Sequence, residues 1–377
     1  MRSSVASGVR VHRFRLRPAF VALAMTMAMA APAAHADDPL SIFTLSGFGT
    51  FGGTYSSLKT ADYAGSAFEP YGVGASRNVD FGDDSRLGLQ LAAQFTSKLS
   101  AFVQVVSRNN YDNSFSPTLE WANVNYAFTP DLNVRVGRIE VPTFLTSDYR
   151  EVGYANTWVR VPPELYDAQP ITNSDGIDVS YRMHWGPVTD TARVIYGESV
   201  FHAIPGPVRV EATGILGLFD TLEYRALTAH AGYVHAEVGV PFASGLTATV
   251  YSAAANLDME RWFVQAEIAR VTVDGLTPGY VAGYGTAGVR LGKFTPYVTY
   301  ATEHSLDRPV LSPNYNTGQS SVSAGVRWDF MKNVDLKVQY DRVWTPAGST
   351  GLFTNEQPDF QFGSSTNVVT ATLDFVF

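Results

Sequence analysis

The sequence predicts an all-β fold, a transmembrane antiparallel β-barrel of 16 strands. Three observations predict it: an export-type N-terminus, period-two alternation of apolar and polar residues, and an alternation of short and long connections. The N-terminus holds Arg2, Arg10, Arg13, Arg15 and Arg17, then an apolar stretch from Phe20 to Ala31, then Ala34-His35-Ala36. A basic head, a short apolar core and an A-x-A end describe a secretory signal peptide. The apolar stretch is too short to span a bilayer. The expected organisation is therefore a signal peptide over residues 1–36, cleaved after Ala36, and a barrel domain over 37–377.

The strands announce themselves by alternation. Leu87, Leu89, Leu91, Ala93 and Phe95 occupy one face of Ser85–Phe95, with Arg86, Gln90 and Gln94 on the other. Ile177, Val179, Tyr181 and Met183 alternate with Asp178, Ser180, Arg182 and His184, and Val334, Leu336, Val338 and Tyr340 with Asp335, Lys337, Gln339 and Asp341. A period of two is the signature of a strand with two unlike faces. Alternation alone leaves open which face is inside, so an all-β sandwich or propeller is the soluble alternative. The export signal favours the membrane.

Seven short connections are expected at 96–98, 129–131, 186–189, 224–225, 256–260, 292–293 and 331–333. Longer ones are expected at 56–84, 109–117, 140–174, 200–213, 239–245, 272–279, 305–319 and 345–366. Together they join sixteen strands of roughly 9–12 residues, enough to cross a membrane when tilted. An even strand count with short turns at one end and long loops at the other is the plan of a membrane barrel. Tyr126, Phe128, Trp185, Trp262, Trp328 and Phe377 lie close to short turns, where aromatic girdles form.

Charge and composition exclude several classes. Residues 1–36 carry five arginines and no acid, so cleavage leaves 22 basic against 35 acidic residues and moves the net charge from −8 to −13. A chain this acidic is a poor partner for nucleic acid. It has no cysteine, hence no disulfide framework and no thiolate metal site. After the leader, the histidines are His184, His202, His230, His235 and His304. None stands in an H-E-x-x-H run, and no P-loop or G-x-S-x-G motif occurs. No catalytic residue, metal site or cofactor is expected. Asp80, Asp83 and Asp84 have the oxygen donors a calcium ion takes, but a solvated extracellular turn is the better reading of them.

The chain resembles a Gram-negative outer-membrane porin of the general sixteen-stranded type, over essentially the whole barrel domain. The run from Trp121 through Thr129-Pro130-Asp131 to Arg138 is similar to the fourth and fifth strands, and intervening turn, of porins from environmental proteobacteria. The closing Leu373-Asp374-Phe375-Val376-Phe377 resembles the assembly signal of such barrels, with Phe375 and Phe377 as its aromatics. The resemblance implies an outer-membrane location after export, passive passage of small hydrophilic solutes and ions, and a homotrimer. It also implies contact with outer-membrane lipid and with the barrel-insertion machinery, and a third loop folded into the barrel. The chain departs from the enterobacterial pattern in lacking a Pro-Glu-Phe-Gly-Gly run.

The third loop would be Glu140–Ser174, and its acids Glu140, Asp148, Glu151, Glu164 and Asp167 are the expected constriction-loop residues. A connection this long is usually functional. Arg86, Arg108, Arg135, Arg182, Arg193, Arg290 and Arg327 fall on polar strand faces and are expected to line the pore, with Arg135, Arg182 and Arg193 at mid-height. Fixed charge beside a permeating ion sets selectivity. The expectation is weak selectivity leaning toward anions. Two alternatives stand beside the general diffusion channel: a specific channel for an anion, sugar or aromatic acid, and, less favoured, an outer-membrane enzyme such as a phospholipase or protease.

Overall fold

The structure, a computed structural model, describes residues 42–66, 69–167, 170–203, 208–306 and 316–377. The expected leader, residues 1–36, lies outside the described residues. Sixteen strands form the wall: β1 Phe43–Ser56, β2 Arg86–Gln94, β3 Leu99–Arg108, β4 Thr118–Ala127, β5 Leu132–Glu140, β6 Asn173–Trp185, β7 Val188–Ala203 and β8 Val208–Tyr224. They continue with β9 Leu227–Val240, β10 Ala243–Met259, β11 Trp262–Val273, β12 Tyr280–Val289, β13 Phe294–Ser305, β14 Gln319–Met331, β15 Val334–Trp344 and β16 Ser365–Val376. Each pairs antiparallel with its neighbours in sequence, and β1 also pairs with β16 from Phe48↔Val376 to Ser56↔Val368. That last ladder closes the sheet, so no edge remains and every wall strand pairs on both sides, the condition for crossing hydrocarbon.

Burial settles the inside-out question. The apolar residues of each alternating set, among them Leu89, Val136, Tyr196, Ile268, Val298 and Val338, are exposed on the outer face. Polar residues such as Thr54, Glu267, Thr299, Lys337, Gln339 and Asp374 are buried on the inner one. A soluble sandwich would do the reverse. An apolar exterior with a polar lumen is the membrane arrangement, and a barrel this wide is not filled by wall side chains alone. Around the short-turn end, Tyr126 and Phe128 pack edge to face at 4.7 Å, and Trp328 lies 5.7 Å from Phe294 and 5.2 Å from Phe330.

All seven short turns appear, within a few residues of their expected places. The opposite rim departs from expectation over β7–β10. Pairing runs on to Ala203 and restarts at Val208, and β9 and β10 are joined by residues 241–242 alone. These strands have 16, 17, 14 and 17 residues. The cause is a set of register shifts, at Gly197/Ser199, Thr213/Leu216 and Val238/Val240. Each bulge inserts an unpaired residue and reverses which residues face outward. The alternation therefore breaks although the strand continues, and the break reads as a loop.

The seam between β16 and β1 has its own packing. Gly47 and Gly49 leave the outer face of β1 without side chains, and the rings of Phe377 and Phe375 lie over them, so close that a Cβ at either glycine would collide. The two rings stack on each other at 6.4 Å. Above the seam, the long connections 57–85 and 345–364 pack together around Tyr63, Val73 and Phe353, tied by hydrogen bonds between Asp62 and Thr354 at 2.8 and 3.0 Å.

Candidate functional site

The connection 141–172 folds inward, and its path is fixed by contacts with eight consecutive strands. His230 on β9 donates from Nε2 to Pro142 O (3.1 Å), and Ser252 on β10 to Thr143 O (2.6 Å). The Leu145 N–H donates to Glu267 on β11 (2.9 Å), which also accepts from Tyr166 (2.8 Å). Trp158 donates from Nε1 to Thr286 on β12 and Thr299 on β13, both at 3.0 Å. Arg327 on β14 donates to Tyr154 O (2.6 Å) and Asn156 O (3.0 Å), and Lys337 on β15 to Gly153 O (2.6 Å). Arg160 reaches Thr370 on β16 (2.8 Å) and, with two nitrogens, Asp84 just before β2 (2.9 and 2.6 Å). The loop is thus laid along the inner wall from β9 to β16.

The anchors are charged and buried together. Lys337, wholly buried, sits 3.1 Å from Asp374 and 3.8 Å from Asp335, and Arg327 reaches Asp335 at 3.0 Å. Burial alone would discharge such groups, so their mutual pairing is what makes the cluster tolerable. Arg160 is held charged: burial opposes ionisation, but Asp84 beside it pushes its pKa further up. Burial raises the Asp84 carboxyl in turn, but Arg160 and the Thr54 hydroxyl outweigh it and hold it below the usual range.

The other wall, β2 to β7, carries the arginines that the loop leaves reachable. Arg135 and Arg193 share Asp178, with Nε distances of 2.7 and 2.9 Å. Arg193 also reaches Glu140 O (3.2 Å) and lies 3.8 Å from Asp148. Arg86 bonds Glu151 at 2.9 Å, and Arg108 pairs with Glu120 at 2.8 Å and approaches Glu151 at 3.6 Å. Arg150, next to Glu151 in the loop, stands 3.5 Å from it. Burial raises the Glu151 carboxyl, but Arg108, Arg86 and Arg150 outweigh it and hold its pKa down to about 2.

The expected site residues therefore separate into groups. Arg86 and Arg108 face the loop tip, and Arg135 and Arg193 face its root. Arg182 does not join them at mid-height. It stands three residues before the end of β6, with its N–H on Asp131 O of a short turn. A periodic pattern gives the face of a residue but not its height in a staggered wall. Arg290 pairs with Asp258 at 2.6 Å beside another short turn, and Arg327 is a loop anchor.

Among the acids, Asp148 has a 62% exposed side chain and Glu151 spans to β2 and β3. Glu140 is buried at the loop root. Glu164 does not face water: it is 1% exposed, accepts from Gln319 at 3.0 Å, and is pushed up in pKa by burial. Asp167 closes the short helix Pro163–Tyr166, with its N–H on Pro163 O. Asp80, Asp83 and Asp84 do not converge on a common point: Asp80 accepts from Arg77 and Gly82, Asp83 from Gly65, Asp84 from Arg160 and Thr54. The roles of Arg150, Arg160 and Lys337 are not legible in the sequence. Arg150 and Arg160 lie in a loop that its acids mark, and Lys337, although readable on a polar face, carries no sign of a loop packed on it.

A closed barrel of sixteen strands with a polar lumen and an inward loop is the architecture of a transmembrane channel. The Gram-negative porin family matches residues 21–346, and the chain belongs to that family. It is an outer-membrane diffusion channel of a Gram-negative bacterium. No curated protein matches by sequence. Among solved structures, the chain is similar to OmpF of Salmonella typhi in complex with daunomycin (TM-score 0.60, 12% identity, 89% of this chain and 97% of that one). It is also similar to the anion-selective porin from Comamonas acidovorans (0.59, 14%, 89% and 99%) and to the trimer form of OmpT from Vibrio cholerae (0.55, 13%, 89% and 99%).

Proposed function

We propose that the protein is a passive channel for small hydrophilic solutes with weak selectivity leaning toward anions, working as a homotrimer and not as an enzyme. The observation that carries this is the charge beside the pathway. Among the groups joined by ion pairs, five guanidiniums, from Arg86, Arg108, Arg135, Arg150 and Arg193, meet four carboxylates, from Glu120, Asp148, Glu151 and Asp178, while Glu140 is buried at the loop root and in none of these pairs. The barrel domain as a whole is acidic, but charges more than about 8 Å from an ion are screened in physiological salt. The local surplus is positive and small, which supports a mild preference. The Comamonas neighbour is itself described as anion-selective, and the Vibrio neighbour as a trimer. The charged groups that meet in the lumen neutralise one another as ion pairs, which suits a field across a pore better than a nucleophile with its base.

The zero-current potential across a planar bilayer in a KCl gradient tests the selectivity. A small potential of anionic sign is expected, and a cationic sign overturns the preference. Absence of conductance overturns the channel. Native mass in mild detergent tests the trimer. We also propose export through a leader cleaved after Ala36, and recognition of Phe375 and Phe377 by the insertion machinery.

A further inference from the structure

Glu151 stands where three guanidiniums converge. Its Oε2 accepts from Arg86 at 2.9 Å, while its Oε1 faces Arg150 at 3.5 Å and Arg108 at 3.6 Å. Three guanidiniums thus converge on one carboxylate, and Glu120, on Arg108 at 2.8 Å, is the other acid in contact. The Oε1 contacts are longer than hydrogen bonds, so the carboxylate is held by charge without being fully gripped. Arginine forks bind carboxylates best through short paired bonds. A free carboxylate, with no chain restricting its approach, can make bonds that the tethered one does not.

The tether has a particular form. The backbone that follows Glu151 is fixed to the far wall, through Lys337 on Gly153 O and Arg327 on Tyr154 O and Asn156 O. Before it, Asp148 lies beside Arg193. Glu151 reaches Arg86 and Arg108 by its side chain. A rotation of that side chain frees both arginines while the loop backbone stays where it is.

We infer that Arg86, Arg108 and Arg150 form a binding site for small carboxylate solutes, and that Glu151 is its built-in competitor, displaced as each solute passes. The inference rests on the channel reading. It narrows the solute class to organic acid anions and gives the loop tip a task beyond narrowing the pore. The competitor keeps the site from holding solutes so tightly that they fail to leave, which conduction requires.

Single-channel conductance measured against potassium acetate concentration tests it. The parent is expected to saturate only at high acetate. Glu151→Gln is expected to saturate at about a tenfold lower concentration, the effect of removing a charge-assisted competitor. Glu151→Asp, which keeps the charge but shortens the reach, is expected to fall between them and stands in if the glutamine variant does not assemble. Asp258→Asn, which removes one negative charge beside a short turn away from the site, controls for charge alone and is expected to leave half-saturation in place. Equal half-saturation in the parent and the Glu151 variants overturns the inference, and so does an equal drop in Asp258→Asn. A parent without KCl conductance overturns the channel reading instead.

Discussion

The two halves of the lumen wall solve different problems with the same residue types. From β9 to β16, every strand gives the loop a hydrogen bond, and the charges there, such as Lys337, Asp335 and Asp374, are wholly buried. From β2 to β7, arginines and carboxylates pair as well, but the side chains of Arg86, Arg108, Arg135 and Arg193 keep 11–32% exposure. The difference teaches that charge in this barrel serves two ends. Where the loop covers it, an ion pair is a structural joint whose loss leaves a buried charge. Where water reaches it, the same pair is an electrostatic surface, and its contribution to stability is small.

The largest test of that contrast is Lys337→Met. It leaves Asp335 and Asp374 buried with Arg327 as the remaining cation, and is expected to cost roughly 3–5 kcal/mol. The midpoint of urea unfolding in detergent measures it, and Arg86→Gln, on the other wall, is the comparison, with an expected cost of about 1 kcal/mol or less. Equal losses would erase the distinction between the two walls.

A second test uses pH, at the rim where the halves meet. Asp83 is pushed up to about 7, first by burial and then by Asp84 beside it, and its neighbour Glu69, bonded by Asn109 at 3.0 Å, is raised by burial too. For an acid raised on folding, the folded chain holds the extra proton. Its stabilisation is full below the unfolded value of about 4 and lost as pH rises through about 7. The connection 57–85 is expected to loosen between about pH 4 and pH 7, read as faster protease cleavage there. Glu151, held down to about 2, has the opposite sign and keeps its arginines throughout that window. Asp83→Asn is expected to flatten the cleavage profile.

The smallest effect concerns height. Arg135→Gln, which leaves Arg193 on Asp178, is expected to shift the zero-current potential toward cations. Arg182→Gln is expected to shift it far less, because Arg182 stands by the short-turn end. Equal shifts would place the narrowest point elsewhere.

Much of this architecture is legible in the chain. Thr129-Pro130-Asp131 and Met331-Lys332-Asn333 mark turns because their residues suit tight reversals; Asn333 takes φ 62°, a conformation that asparagine tolerates. Facing is legible wherever the period of two persists, and it puts the seven arginines on the polar side. It fails at the bulges of β7–β10, where the period slips while the strand goes on. The loop's path is not legible at all. Contacts such as Lys337 with Gly153, 184 positions apart, leave no trace in local pattern. Arg182 shows the middle case, with its face readable and its depth not.

The seam where Phe375 and Phe377 cover Gly49 and Gly47 has a consequence in time. Those rings stand in and just after the sixteenth strand of the wall, and the bare glycines they cover belong to the first. No smaller set of strands can complete the ring, since one partner of β1 is missing until β16 is in place. Entropy disfavours joining such distant segments early. The closing step therefore waits for the sixteenth strand, and the wall becomes a continuous cylinder only when that strand has docked on the first. A chain that stopped short would expose the row of backbone groups along β1, and the membrane would refuse it. The two aromatics act as a keystone, and their arrival certifies that the arch is complete.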